Sequence, residues 1–237
     1  MIKNPLISII TVVYNGSKTL EKTIQSVINQ KYDNYEYIII DGQSTDNTID
    51  IIKQYEEYIA IWVSNKDNGI YDAMNKGLKY AKGKWVYFLG ADDLLRTNIL
   101  LEVSKYLNDE KCIYYGNVKY MKTERVYDGK FTKFKWAVRN ICHQPIFYPN
   151  EIFCKGKFKM EYKYLADYVL NLTIYKSYKY HYIPLTIADY NDTGYSARNQ
   201  DLQFITDRFK LLRQAFPFYV YSYAVMRTFL KKMIRNG

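Results

Sequence analysis

Three aspartates follow apolar runs that are typical of buried strands, and their positions predict chemistry. Asp92 and Asp93 come after the run 85–89 with two residues between, and Asp41 directly follows the run 37–40. In open α/β sheets, ligands bind outside the carboxyl ends of the strands. We therefore expect the three carboxylates to open on one crevice. Hard carboxylate oxygens suit Mg²⁺ or Mn²⁺, and such a cation suits a phosphorylated substrate.

The first half of the chain contains the elements that would position these acids. Apolar runs predict strands over 6–13, 35–40, 59–63 and 85–89, and stripes at helical spacing predict a helix after each of them. Strands that alternate with helices at this spacing predict right-handed βαβ units. The expected fold class is α/β, Rossmann-like, with a mainly parallel sheet flanked by helices.

The pattern changes after Lys111. The sequence predicts a strand over 113–120, a turn at 127–130, a helix over 165–178 and a helical segment over 202–235 that mixes aromatic with basic residues. No linker separates these parts. We therefore divide one continuous domain into residues 1–110, residues 111–200 and a basic aromatic tail, 201–237.

Composition limits the class of protein. The 237 residues carry a net charge of +10, which favours anionic partners, and the three cysteines form no CxxC pair and indicate a reducing compartment. The sequence shows neither a signal peptide nor a stretch long enough to span a bilayer. The expected location is the cytoplasm, with possible attachment to the inner face of the cell membrane.

Four stretches together resemble a known family. They are ISIITVVYNG at 7–16, DGQSTDNT at 41–48, DNGIYDAMNKG at 67–77 and LGADD at 89–93. In this order they resemble the inverting family 2 glycosyltransferases of GT-A fold, and among them the enzymes that assemble bacterial O-antigen and related surface polysaccharides. The resemblance covers the first half of the chain, and no single stretch carries it.

The resemblance implies roles for residues of the first half. Ala91-Asp92-Asp93 stands where the family has its DxD-type motif, with Ala in the first position. Asp93 is therefore expected to bind Mn²⁺ or Mg²⁺ and Asp92 to contact the ribose or sugar and assist with the metal. The other residues that the resemblance implies in nucleotide and donor binding are Thr11, Val13, Tyr14, Asp41, Asp67, Asp72 and Asn75.

The resemblance also implies an acceptor-binding second half. The family places its catalytic base at the start of a helix, usually in a Glu-Asp pair, and here Ala166-Asp167 stands at that position. Asp167 is the predicted base, and His143 and Gln144 are predicted to line the acceptor pocket. The stretch 191–198 resembles a mobile loop that closes over the diphosphate, with Arg198 as a phosphate donor.

The implied reaction is inverting transfer of a sugar, most simply from a UDP-hexose, to a hydroxyl of a growing saccharide. The acceptor is expected to be linked to a polyprenyl diphosphate. The aromatic and basic tail is expected either to pack on the core or to contact an anionic membrane surface. No nucleic acid is expected as a partner, because the cations are dispersed and no nucleic-acid-binding module is recognisable.

Several of the site residues also have a structural interpretation. Asp92-Asp93 could cap the following helix, Asp41-Gly42 could be a turn, and Asp167 could be stabilised by its helix dipole. Asp72 and Asn75 could form a solvated helical turn, and His143 could be an ordinary buried histidine. Two other functions remain as alternatives: a sugar nucleotidyltransferase, although the loop 15–18 is short and poor in glycine for one, and a non-catalytic nucleic-acid-binding protein.

Overall fold

A nine-stranded sheet with helices on both faces forms the frame of the protein. The computed structural model describes residues 4–127, 129–192 and 200–236. The strands are β1 Ile7–Val13, β2 Tyr35–Asp41, β3 Ile61–Ser64, β4 Trp85–Gly90, β5 Leu94–Leu95, β6 Cys112–Tyr120, β7 Val126–Tyr127, β8 Ile146–Pro149 and β9 Lys179–Tyr190. The α-helices are α1 Leu20–Ile28, α2 Thr48–Gln54, α3 Ile70–Gly77, α4 Ile99–Ser104, α5 Lys133–Val138, α6 Glu151–Lys155, α7 Ala166–Ile174, α8 Leu202–Ala215 and α9 Phe218–Asn236.

The first half forms the predicted parallel sheet. Strands β3, β2, β1 and β4 lie side by side in that order, all parallel, and a helix follows each of them along the chain. The third strand begins at Ile61, two residues later than predicted, because a 3₁₀ turn at Glu56–Tyr58 precedes it. The predicted α/β fold class is confirmed.

The second half extends the same sheet with strands of mixed direction. Strand β8 lies between β4 and β6, antiparallel to both, and β9 pairs in parallel with β6. Their pairing shifts near Gly116, because Tyr115 faces Tyr182 whereas Asn117 faces Thr186. Pro184, which has no N–H for a ladder, lies in this irregularity. The sequence predicted neither β8 nor β9.

Two apolar layers hold the helices on the sheet, because side chains of a strand alternate between its faces. On one face, Ile9 and Tyr87 belong to a buried cluster with residues of α1 and α4. On the other face, Ile10 and Phe88 belong to a cluster with residues of α3 and α5 through α9. Most of these side chains are almost fully buried. The sheet therefore has fixed strand ends on which a site can be built.

The C-terminal tail consists of two helices instead of the single segment predicted over 202–235. Helix α8 ends at Ala215, and Phe216 is extended, with φ −117° and ψ 156°. Pro217 follows it, and a residue before proline is driven out of the helical region. Among the described residues, no helix combines the length and the apolar character that crossing a bilayer requires.

Candidate active site

Three neighbouring strands end at one level and bring the predicted residues to one edge of the sheet. The β1–β2 register pairs Val13 with Asp41, and the β1–β4 register pairs Val12 with Gly90. The loops that follow are close to one another: a Cβ built on Gly16 would lie 3.9 Å from the Cβ of Ala91. The loops after β1, β2 and β4 therefore open on a common crevice.

Asp41 organises the loop after β2. Its side chain is fully buried. Oδ2 accepts hydrogen bonds from Ser64 Oγ at 2.6 Å, from Ser44 N at 3.0 Å and from Gln43 N at 3.1 Å. Oδ1 accepts from Ser44 Oγ. Both carboxylate oxygens are thus occupied by the protein, and Asp41 holds the shape of the loop that a nucleoside would meet.

The predicted residues of β1 differ in their access to a ligand. Thr11 is fully buried, and its Oγ1 accepts from Tyr37 OH at 3.2 Å, so its side chain supports the sheet and does not reach the crevice. Val13 is 5% exposed. Tyr14, just beyond the strand, is 63% exposed. Among these three side chains Tyr14 is therefore the one most open to a ligand, and the role of Thr11 in nucleotide binding stays a prediction.

Asp67 lies against the loop after β2. A Cβ on Gly42 would overlap Asp67 Oδ2 and would lie 3.4 Å from the Cβ of Tyr14. Glycine at position 42 therefore lets Asp67 approach Tyr14. Asp67 Oδ1 accepts from Gly69 N at 2.9 Å, which fixes the turn before α3. Asp67 and Tyr14 form one wall of the crevice.

Asp72 and Asn75, on α3, have protein partners. Asp72 accepts from Asn68 N at 3.0 Å and forms an ion pair of 3.1 Å with Lys76. Asn75 Nδ2 donates to Phe158 O at 2.8 Å, and its Oδ1 accepts from Phe158 N at 3.0 Å. Both polar ends of the Asn75 amide are thus engaged by one backbone segment. In this structure Asn75 therefore joins the two halves of the chain, and its role in donor binding stays a prediction.

Asp92 and Asp93 form the acidic corner of the crevice. Asp93 is 1% exposed, its Oδ2 accepts from Gln144 Nε2 at 2.9 Å, and its Oδ1 accepts from Asn191 N at 2.8 Å. Asp92 is partly exposed and accepts from Asn191 Nδ2 at 2.8 Å. Burial, and then the adjoining charge of Asp92, raise the pKa of Asp93 to about 7. The corner therefore holds more negative charge than its neighbours compensate.

This corner fits a divalent cation. Burial and then the charge of Asp92 raise the pKa of Asp93, and a cation would offset both by stabilising the carboxylate. Mg²⁺ in proteins is commonly held by one or two carboxylates together with substrate phosphates. Among the described residues, no group of three or more His, Cys, Asp or Glu could enclose a metal ion. The donor set therefore suits a cation shared with a phosphorylated ligand. Asp92 is the more accessible carboxylate of the two.

Asp167 is buried at the start of α7 amid polar neighbours. Its Oδ1 is 3.1 Å from the hydroxyl of Tyr71, and its Oδ2 accepts from Asn140 Nδ2 at 3.1 Å. Burial and the charge of Asp167 raise the pKa of Tyr71 well above its usual value, so the phenol keeps its proton. Asp201 Oδ2 accepts from Tyr164 N and Leu165 N, at 2.9 and 3.1 Å, which anchors the start of the helix.

His143 and Gln144 connect Asp167 with Asp93. His143 Nδ1 lies 3.6 Å from Asp167 Oδ2, while the amide of Gln144 donates to Asp93. Three atoms around them are buried with no hydrogen-bond partner among the described residues: His143 Nε2, Gln144 Oε1 and Asn140 Oδ1. Buried polar atoms are almost always paired, and each exception requires an explanation such as a ligand. A ligand that reached the region of the two acids would find these atoms free to pair.

Asn140 and Asp201 were not predicted from the sequence, and neither were the contacts of Tyr71 and Asn191, which lie in stretches already assigned to the site. Apart from Asn140, nothing in the local sequence predicts these contacts, because each residue reaches its partner across a distance in the chain that only the fold closes. Asn140 is the one with a local indication, since it lies three residues before His143. The predicted phosphate donor Arg198 lies outside the described residues.

Comparison with known sequences assigns the family. Residues 8–176 match the family described as Glycosyl transferase family 2. The PGL/p-HBAD biosynthesis glycosyltransferase of Mycobacterium tuberculosis is 32% identical over 200 residues, which cover 80% of this chain and 78% of the relative. The Escherichia coli enzyme WfaP, named UDP-Glc:alpha-D-GlcNAc-diphosphoundecaprenol beta-1,3-glucosyltransferase, is 34% identical over 128 residues, or 54% of this chain and 51% of WfaP.

Solved structures share the fold. Staphylococcus aureus TarS 1–349, in complex with UDP-GlcNAc, superposes with a TM-score of 0.71 at 16% identity, over 86% of this chain and 64% of TarS. The mannosyltransferase PcManGT of Pyrobaculum calidifontis, in complex with GDP-Man and Mn²⁺, gives a TM-score of 0.66 at 17% identity, over 90% of this chain and 63% of PcManGT. At such identities the likeness shows the fold alone.

The fold and the acidic crevice define a glycosyltransferase of GT-A fold. The chain belongs to glycosyltransferase family 2, and the matched span contains Asp41, Asp93, His143 and Asp167. The predicted resemblance is confirmed. Membership decides against the two alternatives, a sugar nucleotidyltransferase and a nucleic-acid-binding protein.

Proposed function

We propose that this glycosyltransferase is inverting and metal-dependent and moves a hexose from a UDP-sugar to a hydroxyl of a polyprenyl-diphosphate-linked saccharide. The product would be part of an O-antigen or a related surface polysaccharide. The observation that carries the proposal is the row of unpartnered buried polar atoms on Asn140, His143 and Gln144, between Asp93 and Asp167. A sugar supplies hydroxyls that donate and accept at such atoms.

On the donor side, the nucleoside would lie against Tyr14 and Asp67, on the loop that Asp41 holds in shape. Asp92 and Asp93 would hold Mn²⁺ or Mg²⁺. The bound cation would supply neutralisation of the negative charge that grows on the nucleoside diphosphate as the glycosidic bond breaks. Asp93 would hold the cation through an oxygen that now accepts from Gln144 Nε2 or Asn191 N.

On the acceptor side, Asp167 would remove the proton from the attacking hydroxyl. Inversion requires a base on the face of the sugar opposite to the leaving group, and the transition state is oxocarbenium-like. Tyr71 and Asn140 donate to the two oxygens of Asp167 and fix the direction of its lone pairs. His143 and Gln144 would orient the acceptor sugar through Nε2 and Oε1.

The names of relatives support the acceptor class. WfaP and WfgD of Escherichia coli are named as glucosyltransferases that use UDP-Glc and a diphosphoundecaprenol-linked GlcNAc, and both align with about half of this chain. A protein that acts on a lipid-linked acceptor works at a membrane surface. We propose the same for this chain, as a peripheral protein.

A transfer assay tests the proposal. The purified chain is incubated with Mn²⁺, a synthetic lipid-diphosphate-linked N-acetylglucosamine and, in parallel reactions, UDP-glucose, UDP-N-acetylglucosamine or GDP-mannose. We expect transfer from a UDP-sugar, loss of transfer with a chelator and recovery when Mn²⁺ is returned. NMR of the new linkage should show an anomeric configuration opposite to that of the donor.

Specific outcomes contradict specific parts. A product with the donor's configuration overturns inversion, and full turnover in chelator overturns metal dependence. A preference for GDP-mannose overturns the nucleotide assignment. Transfer to free sugars at the same rate as to the lipid-linked acceptor overturns the acceptor class.

A further inference from the structure

A basic cleft lies between α5 and α9, outside the crevice described above. It has a volume of about 490 Å³, and the side chains that line it include Lys135, Arg139, Arg227 and Lys231. None of the described residues that line it is acidic. The sequence explains this, because residues 129–150 and 208–237 contain no Asp or Glu. Two segments without acids thus face each other across the cleft.

Packing holds the cations of the α5 side in place. Phe134 meets Tyr223 edge-on at 5.1 Å and Tyr219 at 6.1 Å, which docks α9 on α5. The Lys135 ammonium lies 4.5 Å from the centre of the Phe131 ring, and the Arg139 guanidinium lies 5.1 Å from the centre of the Tyr127 ring. The cleft is therefore a built feature with positioned cations.

Helix α9 presents an apolar face beside the cleft. Buried Val220 and Ala224 face the protein, whereas large apolar side chains on the other side are more than half exposed or close to it. Their spacing of three, four and seven residues places them on one broad stripe of the helix. The stripe contains Phe218, Met226, Phe229, Leu230, Met233 and Ile234.

An exposed apolar stripe next to clustered cations matches the chemistry of an anionic bilayer surface. Apolar side chains of an interfacial helix enter the boundary between headgroups and acyl chains, and cations beside them meet the phosphates. We infer that the cleft between α5 and α9 binds phosphate headgroups of an anionic phospholipid bilayer while the apolar stripe of α9 lies in the membrane interface.

The cleft has a consequence for the active site. Arg139 directly precedes Asn140, which donates to Asp167. A bilayer bound at the cleft would therefore lie on the acceptor side of the crevice, where a lipid-linked saccharide must arrive. This consequence rests on the proposed function, whereas the binding of phospholipid does not.

Vesicle sedimentation of the full chain tests the inference. Vesicles of phosphatidylcholine alone are compared with vesicles that also contain phosphatidylglycerol. We expect binding to the anionic vesicles, weakened by added NaCl. The variant Arg227→Ala/Lys231→Ala should bind them roughly 20-fold more weakly, since each cation near the surface is worth about fivefold. Phe229→Ser/Met233→Ser should also weaken binding but keep the salt dependence.

A matched control uses another basic cleft. Lys155 and Lys157 are exposed and line a cleft of about 710 Å³ formed by α6 and α7. Lys155→Ala/Lys157→Ala removes the same charge and should leave vesicle binding within about twofold, because these lysines line a cleft that shares no residue with the one between α5 and α9. Circular dichroism and a thermal melt of each variant confirm that it is folded.

Three outcomes overturn the inference. One is that Arg227→Ala/Lys231→Ala binds the anionic vesicles as tightly as the wild type. Another is complete displacement by excess inorganic phosphate at constant ionic strength, which would make the cleft a site for a soluble anion. The third is a dimer in light scattering that Phe229→Ser/Met233→Ser disperses while vesicles are ignored, which would assign the stripe to a second copy.

The test also separates this inference from the proposed function. Transfer to a water-soluble acceptor should be unchanged in Arg227→Ala/Lys231→Ala, whereas transfer to an acceptor embedded in anionic vesicles should fall with binding. If the wild type transfers sugar to neither acceptor, the proposed function fails while the vesicle result stands. If the wild type and Arg227→Ala/Lys231→Ala use both acceptors equally well, the membrane site is overturned while the proposed function stands.

Discussion

The two halves of the crevice differ in how their polar groups are satisfied. On the donor side, both oxygens of Asp41 are occupied by backbone and serine donors, and Asp72 has an amide and a lysine. On the acceptor side, Asn140, His143 and Gln144 each keep a buried atom without a partner among the described residues. The loops of the proposed donor side therefore satisfy its acids, while the proposed acceptor side leaves buried atoms with which a ligand could pair.

The difference also separates positioning from chemistry. The oxygens of Asp41 and of Asp167 all accept hydrogen bonds from the protein. Beside Asp167, however, Asn140 and His143 keep buried atoms without a partner among the described residues, and a bound acceptor could pair with them. Substitutions on the acceptor side should therefore reduce the chemical step, and those on the donor side should alter stability or nucleotide binding.

The largest effect is expected for Asp167→Asn. The amide keeps the size of the side chain but cannot act as a base, and a general base contributes about 10² to 10⁴ in rate. We expect kcat to fall within that range while UDP affinity, measured by calorimetry, is unchanged. Asp33→Asn, at an exposed position, is the control and should retain full turnover. Equal kcat in both variants would remove Asp167 from the mechanism.

A methyl group at Gly90 should displace the carboxylates of Asp92 and Asp93. An added Cβ would overlap Asp93 Oδ2 and lie 3.2 Å from Asp92 Oδ1, so both carboxylates must move. Misplacement of catalytic groups by about 1 Å can cost about 10²-fold in rate. We expect Gly90→Ala to lose about that much turnover together with Mn²⁺ affinity, measured by titration calorimetry.

Gly156→Ala is the matched control for this change, because nothing lies within 4 Å of its Cβ position. It should retain both turnover and Mn²⁺ affinity. If Gly90→Ala lost stability but bound Mn²⁺ as tightly as the wild type, the corner would not be the metal site.

The pKa of Asp93 predicts how Mn²⁺ binding depends on pH. Burial raises this pKa from 3.8 to about 7, so below pH 7 the cation must displace a proton. Mn²⁺ affinity should therefore rise roughly tenfold per pH unit up to about pH 7 and then level off. Calorimetric titration across this range checks it, and a flat profile would contradict Asp93 as a ligand.

The same shift has a consequence for stability without metal. The folded state binds a proton that the unfolded state has released between about pH 4 and 7. The free energy of unfolding should therefore decline as pH rises through that window, and Asp93→Asn should remove this part of the decline. Denaturant unfolding in chelator at several pH values measures the difference.

The sequence also predicted the secondary structure of the first half of the chain better than that of the second half. The first half was predicted almost element by element, because buried parallel strands form continuous apolar runs that alternate with helical stripes. Strand β9 was not predicted, because Pro184 interrupts its sequence pattern. The irregular pairing opposite Gly116 accommodates this proline in the sheet. Strand β8 is four residues long and bounded by prolines, which leaves too little pattern to recognise.

The site was predictable where a strand end fixes a residue. Asp41 and Asp93 follow apolar runs. The rule that ligands bind at the carboxyl ends of parallel strands was therefore enough to predict that their loops open on one crevice. Tyr71 and Asn140 reach Asp167 across 96 and 27 residues of chain, and no local pattern encodes such a contact. The hydrogen bonds of Thr11 and Asn75 were not predicted for a related reason: a motif gives residue identity, whereas burial and hydrogen-bond partners come from tertiary packing.

The smallest effect on activity is expected at Asn75, where the resemblance and the structure disagree. The substitution Asn75→Ala leaves Phe158 N and Phe158 O without their present partners, which costs about 1–3 kcal/mol of unfolding free energy when such groups stay buried. The KM for the UDP-sugar should stay within about twofold, because both ends of the Asn75 amide are hydrogen-bonded to the backbone of Phe158. Denaturant unfolding and steady-state kinetics measure the two quantities on the same preparation.

Asn65→Ala provides the comparison, because Asn65 is exposed on the loop that precedes α3 and should change neither quantity. A tenfold rise in KM for Asn75→Ala with unchanged stability would return Asn75 to the donor site. It would also show that the donor side rearranges on binding, since the amide would have to leave Phe158 to reach a nucleotide. The distinction between a donor side satisfied by its own loops and an acceptor side with buried atoms with which a ligand could pair would then no longer hold.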